Sequence, residues 1–176
     1  MIKGTQLTSD KAAECADIMA ILEDISQAHD AARIYLSGKY AGDGDNMRTR
    51  KALYESALIS LRRALKNGAT RLPGNGRRCW QIPKDELERI VGTDKKLFDE
   101  ALHLADKCVA HRVRPEAGQA QVVTGAPIGE PGVQLKFSEK AIVFPVVQRV
   151  THKIRDYLMP LLVQRHKQAV EQSECV

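Results

Sequence analysis

Apolar side chains recur three and four positions apart along most of this chain, the period of helices with one buried face. Thr8, Ser9 and Asp10 offer an N-cap, after which Cys15, Ile18, Leu22, Ile25, Ala32 and Tyr35 or Leu36 keep that spacing. This predicts a long first helix ending before Gly38. Ser37 to Asn46, rich in Gly, Asp and Ser, reads as a turn or mobile loop. A second helix follows from near Asn46 to Asn67, with Tyr54, Leu58, Leu61 and Leu65 inward and Gly68 as its stop.

Pro83, Asp85 and Glu86 open a short helix that ends at Gly92, since proline and carboxylates both suit a first turn. Thr93 or Asp94 then caps a central helix whose stripe is Leu97, Ala101, Leu104 and Cys108, ending around Arg112 to Arg114 before Pro115. The last helix runs from Phe144 or Pro145 to Val170, with Val147, Val150, Ile154, Tyr157 or Leu158, and Leu161 inward and a kink at Pro160. Between these helices, Gln121–Thr124 and Val133–Phe137 form either a small hairpin or part of a disordered loop. The inventory is an all-α antiparallel bundle of four main helices in one domain spanning 1–176. Residues 115–137 are its loop or hairpin insertion and 171–176 a flexible tail.

Composition narrows this only a little. A chain of 176 residues suits one domain with one core, and 5% aromatic content makes that core mainly aliphatic. Four scattered cysteines without a CxxC pair suggest neither a disulfide framework nor a zinc site. The lack of a long apolar run or a signal-peptide layout points to a cytoplasmic protein with no membrane partner. The net charge of +5 is mild, but it is clustered: from Arg48 to Arg78 there are nine Lys or Arg against Glu55 alone. That run is either a solvated helix face with a basic loop or a surface for a phosphate backbone, through Arg62, Arg63, Arg77 and Arg78. Trp80 beside it is a packing anchor or a platform for a base.

The candidate chemistry lies at His111, the next residue in phase after Leu97, Ala101, Leu104 and Cys108. It reads either as a partly buried histidine ending a core stripe or as an acid/base group at the mouth of the bundle. Lys107 shares its face at i, i+4, and Arg112 and Arg114 lie just beyond the helix end, where they can hold phosphate. Such a set suits metal-free RNA cleavage with the ribose 2′-hydroxyl as nucleophile. Asp106 is then a surface ion-pair partner or a group that orients His111.

No metal or cofactor is called for. His103, Cys108 and His111 lack a second ligand cluster, and Asp43-Gly-Asp45-Asn46 departs from a calcium loop at Arg48 and Tyr54. Gly74-Asn-Gly76 lacks the context of a phosphate loop, and neither a serine-hydrolase nor a dinucleotide fingerprint is present.

The helix order, the segment Leu53-Tyr-Glu-Ser-Ala-Leu-Ile-Ser-Leu-Arg-Arg-Ala-Leu65 and the ending Asp106-Lys-Cys-Val-Ala-His111 resemble the HEPN superfamily, in particular its abortive-infection branch. The resemblance implies a helical bundle, a homodimer, and metal-independent ribonuclease activity of a toxin–antitoxin or phage-defence system, with RNA and an antitoxin or other protein as partners. It assigns His111, Lys107 and Asp106 to catalysis. Asp106, Lys107, Ala110 and His111 match a frequent Arg-Asp-Lys-x-x-Ala-His form of the motif, but Ala105 stands in the arginine's place. The cation of the transition state would then come from Lys107, Arg112, Arg114 or a partner subunit. The competing class is a catalytically inert helical module for protein–protein interaction.

Overall fold

The computed structural model describes residues 10–42, 44–66, 79–106, 120–122, 133–135 and 140–174. Within them the architecture is an all-α bundle organised around its first helix. Helix α1 (Asp10–Leu36) packs along its length against both α2 (Asp45–Lys66) and the closing helix α5 (Phe144–Glu174). Side-chain contacts give the directions. Tyr35 meets Arg50 and Asp24 meets Arg63, so α2 runs antiparallel to α1. His29 meets Gln148 and Glu14 meets Arg165, so α5 does too.

Where the described residues include them, the predicted boundaries at Gly38, Pro83 and Gly92 hold to within a few residues because local chemistry sets them. Helix α1 stops at Leu36, where the Ser37 N–H donates the last bond of the ladder to the Arg33 carbonyl and Gly38 adopts a φ of +69° that side chains disfavour. Helix α3 (Lys84–Val91) starts after Pro83, carries Asp85 and Glu86 in its first turn, and ends at Gly92, with φ +53°. A short tight turn over 92–94 leads into α4 (Lys95–Leu104). Asp94 stands at its N-cap position, but its carboxylate makes no cap hydrogen bond and binds Arg149 of α5 at 2.7 Å instead. Of the two alternatives for the insertion, the hairpin is present: β1 (Ala120–Val122) pairs antiparallel with β2 (Val133–Leu135), Gln121 opposite Gln134.

The core is aliphatic, built from Ile18, Ile25, Leu58, Leu61, Val147, Val150, Ile154 and Leu158, all buried. One aromatic knot joins its three long helices: Phe144 lies 4.3 Å from Tyr35 and 5.0 Å from Tyr54, ring centre to ring centre. Packing corrects the sequence reading in α4 and decides between its two alternatives in α5. In α4 the deeply buried residue is Phe98, with Leu97 only half-buried, so the stripe is Phe98, Ala101, Leu104 and Ala105. In α5 the inward residue is Leu158, while Tyr157 is half-buried. Helix α5 continues through Pro160 to Glu174. Among the described residues no helix is long and apolar enough to cross a membrane.

Candidate functional site

The last turns of α2 carry Arg62, Arg63 and Lys66, and each of these cations meets a carboxylate from another helix. Residues 62 and 66 share a helix face, whereas 63 is turned about 100° away. Arg62 and Lys66 therefore reach toward α4, and Arg63 toward α1.

On the α4 side, Asp106 follows the helix where its backbone widens at 105–106. Its Oδ1 accepts from Arg62 Nε at 2.6 Å, and its Oδ2 accepts from Lys66 Nζ. The hydrogen bond from Lys66, together with that from Arg62 and both positive charges, holds the Asp106 carboxyl below the usual carboxylate range. Partial burial opposes this and is outweighed. All three side chains remain open to solvent, at 31% exposed for Arg62, 41% for Lys66 and 29% for Asp106.

On the α1 side the acid is buried. Asp24 is 1% exposed and accepts from Arg63 at 2.5 Å, while the Arg63 side chain is half in solvent. Two turns nearer the start of α1, buried Asp17 accepts the Trp80 backbone N–H at 2.8 Å. Asp17, Arg63, Cys79 and Trp80 line a shallow cleft, with Ile21 at its apolar side. Trp80 packs partly buried against the core, as an anchor does.

Of the residues expected at the site, Asp106 and Arg62 are brought together and Arg63 lies next to them with a different partner. His111, Lys107, Arg77, Arg78, Arg112 and Arg114 lie outside the described residues, as do Cys108 and the expected end of the central helix. Ala105, at the position where the resemblance expected an arginine, is fully buried in the core. An arginine there would carry its charge among Phe98, Leu104 and their apolar neighbours.

Sequence reasoning missed Asp17 and Asp24, and also His29. The two acids occupy the apolar phase of α1, at 17, 21, 24, 28, and an acid in such a phase calls for a partner on the neighbouring helix. His29 was legible in the same way, four residues after Ile25. Its Nδ1 lies 3.1 Å from the Gln148 carbonyl and 3.2 Å from the Thr151 hydroxyl, and a carbonyl can only accept, so Nδ1 carries the proton. This histidine joins α1 to α5 with its ring 5.9 Å from that of exposed His152. Among the described residues no three His, Cys, Asp or Glu side chains stand together as a metal-holding group.

Comparison with known proteins found no matching family model, curated protein or solved structure. Any functional reading therefore stands on the chain itself.

Proposed function

We propose that this protein binds RNA through a basic surface beside the last turns of α2, as a HEPN-like cytoplasmic bundle of a toxin–antitoxin or phage-defence system. The observation that carries the reading is the contact between Lys66 and Asp106. Residues 56–84 hold seven Lys or Arg and no acid, and residues 107–115 hold Lys107, His111, Arg112 and Arg114 and no acid. Lys66, within the first of these basic stretches, and Asp106, just before the second, meet. Cations in such number attract a phosphate backbone. The phosphate contacts are assigned to Arg77, Arg78, Arg112 and Arg114, because Arg62 and Arg63 already hold carboxylates.

Binding is favoured over cleavage, since the motif's arginine position is a core position occupied by Ala105. If cleavage occurs, it turns on His111, with Lys107 as the cation beside it. The test is anisotropy of a labelled single-stranded oligoribonucleotide titrated across KCl concentrations. Each phosphate contact on a single strand adds about 0.7 to the salt slope, so Arg77→Ala/Arg78→Ala should flatten it by about 1.4. Absence of binding at low salt would sink the reading. Incubation of total RNA in EDTA with wild type and His111→Ala, on the same preparations, separates binding from cleavage.

A second reading, a protein-binding module pairing with an antitoxin or a second copy, is favoured by a different face. Met19 on α1 and Met159 and Val163 on α5 are each about half exposed. The antiparallel alignment that opposes Glu14 to Arg165 and His29 to Gln148 sets Met19 level with Met159. Light scattering of the purified chain distinguishes a dimer from a monomer.

A further inference from the structure

We propose that Arg62 and Lys66 form a phosphodiester-binding pair that the Asp106 carboxylate occupies as an internal stand-in, so that RNA gains this pair only by displacing Asp106. The inference rests on the RNA reading and adds to it a subsite and a means of holding it closed.

The geometry has three parts. Arg62 and Lys66 stand four residues apart on α2, so both reach one point from a single rigid helix face. At that point sits an anion whose two oxygens are divided between them, Oδ1 to the Arg62 guanidinium and Oδ2 to the Lys66 ammonium. The two free oxygens of a phosphodiester can be shared between the same cations in the same way, which makes carboxylate and phosphate competitors for one place.

The third part is release. Asp106 lies just past α4 and is 29% exposed, and neither cation is buried. Exchange of one anion for another there strands no charge inside the protein. Nearby Arg63 is bound differently: its partner Asp24 is 1% exposed, and displacing it would leave a buried carboxylate behind. Only the α4-facing pair is exchangeable. An acid that occupies the cations also suppresses weak binding of other anions, because an incoming ligand must offer enough further contacts to replace it.

The test uses the full chain and the labelled oligoribonucleotide described above, comparing wild type, Asp106→Asn and, as a control for net charge, Asp99→Asn on the exposed face of α4. Asp106→Asn keeps shape and removes the anion. It should bind at least about threefold tighter, with a salt slope steeper by about 1.4, the increment for two phosphate contacts. Asp99→Asn should change both much less. In the Asp106→Asn background, Arg62→Gln/Lys66→Gln should cancel the gain.

If Asp106→Asn folds, as checked by circular dichroism, and binds no tighter than Asp99→Asn, the proposal is overturned while RNA binding by the wild type stands. If neither wild type nor variant binds, both readings fall. Should Asp106→Asn fail to fold, Arg62→Gln/Lys66→Gln in the otherwise wild-type chain decides instead. An occupied pair contributes little, so the slope should change by less than about 0.7; a loss near 1.4 would mean that both cations already contact phosphate, and would overturn the proposal.

Discussion

Adjacent residues of α2, Arg62 and Arg63, each hold an aspartate, and the two contacts have opposite physical characters. Arg63 meets an acid that α1 has carried into the core, Asp24, almost fully shielded from water. Arg62, with Lys66, meets an acid at the rim, Asp106, from which solvent has not been excluded. A buried carboxylate gives up its hydration and depends on its partners, so that contact belongs to the fold. An exposed one can return to water at little cost, so that contact is free to change partners. A rotation of about 100° along one helix separates a structural ion pair from an exchangeable one.

The comparison breaks most sharply if Arg63 is truncated. Arg63→Ala takes a charge-assisted hydrogen bond from a buried carboxylate and should destabilise the protein by about 2–3 kcal/mol, seen as a lower urea midpoint with an unchanged slope. A loss below about 0.5 kcal/mol would put the pair in the same class as surface contacts.

Asp106→Asn should cost no more than about 1 kcal/mol at neutral pH. Acid sharpens the distinction. The folded Asp106 carboxyl is held below its ordinary value, chiefly by Lys66. The unfolded chain therefore takes up a proton more readily, and the stability this group contributes is fully present above about pH 4 and lost as pH falls through the lower folded value. Asp94 is depressed likewise by Arg149, so the diagnostic quantity is the difference between wild type and variant. Thermal melts from pH 5 downward should show that difference shrinking; a constant difference would remove Asp106 ionisation from the account.

The smallest effect belongs to a contact open on both sides. Arg48 and Asp45 pair at 3.4 Å with side chains 85% and 97% exposed. Arg48→Ala should shift stability by less than about 0.5 kcal/mol, a change at the limit of a urea titration. A larger shift would mean that exposure is the wrong criterion for ranking these pairs.

Much of the fold was legible along the chain. Gly38 and Gly92 mark helix ends because each takes a backbone conformation at positive φ that other residues resist, and Pro83 marks a beginning because it needs no partner for a nitrogen without hydrogen. The spacing of Ile18, Ile25, Leu58, Leu61, Val147 and Ile154 named much of the core in advance. Within α4 the same reasoning slipped by one residue. Leu97 and Phe98 are both apolar neighbours, and only the packing of α4 against α2, α5 and the turn over 141–143 decided which of them turned inward.

The candidate site was less legible. Arg62, Arg63 and Asp106 were named as charges on helices, but nothing in their spacing told that Arg62 and Asp106, separated by 44 positions, would meet, or that Arg63 would reach Asp24 across 39. Helical period, caps and glycines are local properties, decided within about a turn of chain, so the sequence by itself determined where α1, α2, α3 and α5 run and, α4 aside, much of which stripe turns inward. Which acid faces which cation depends on how the helices cross and how far each side chain is buried. That choice, and with it the difference between a fixed pair and an exchangeable one, belonged to the tertiary structure alone.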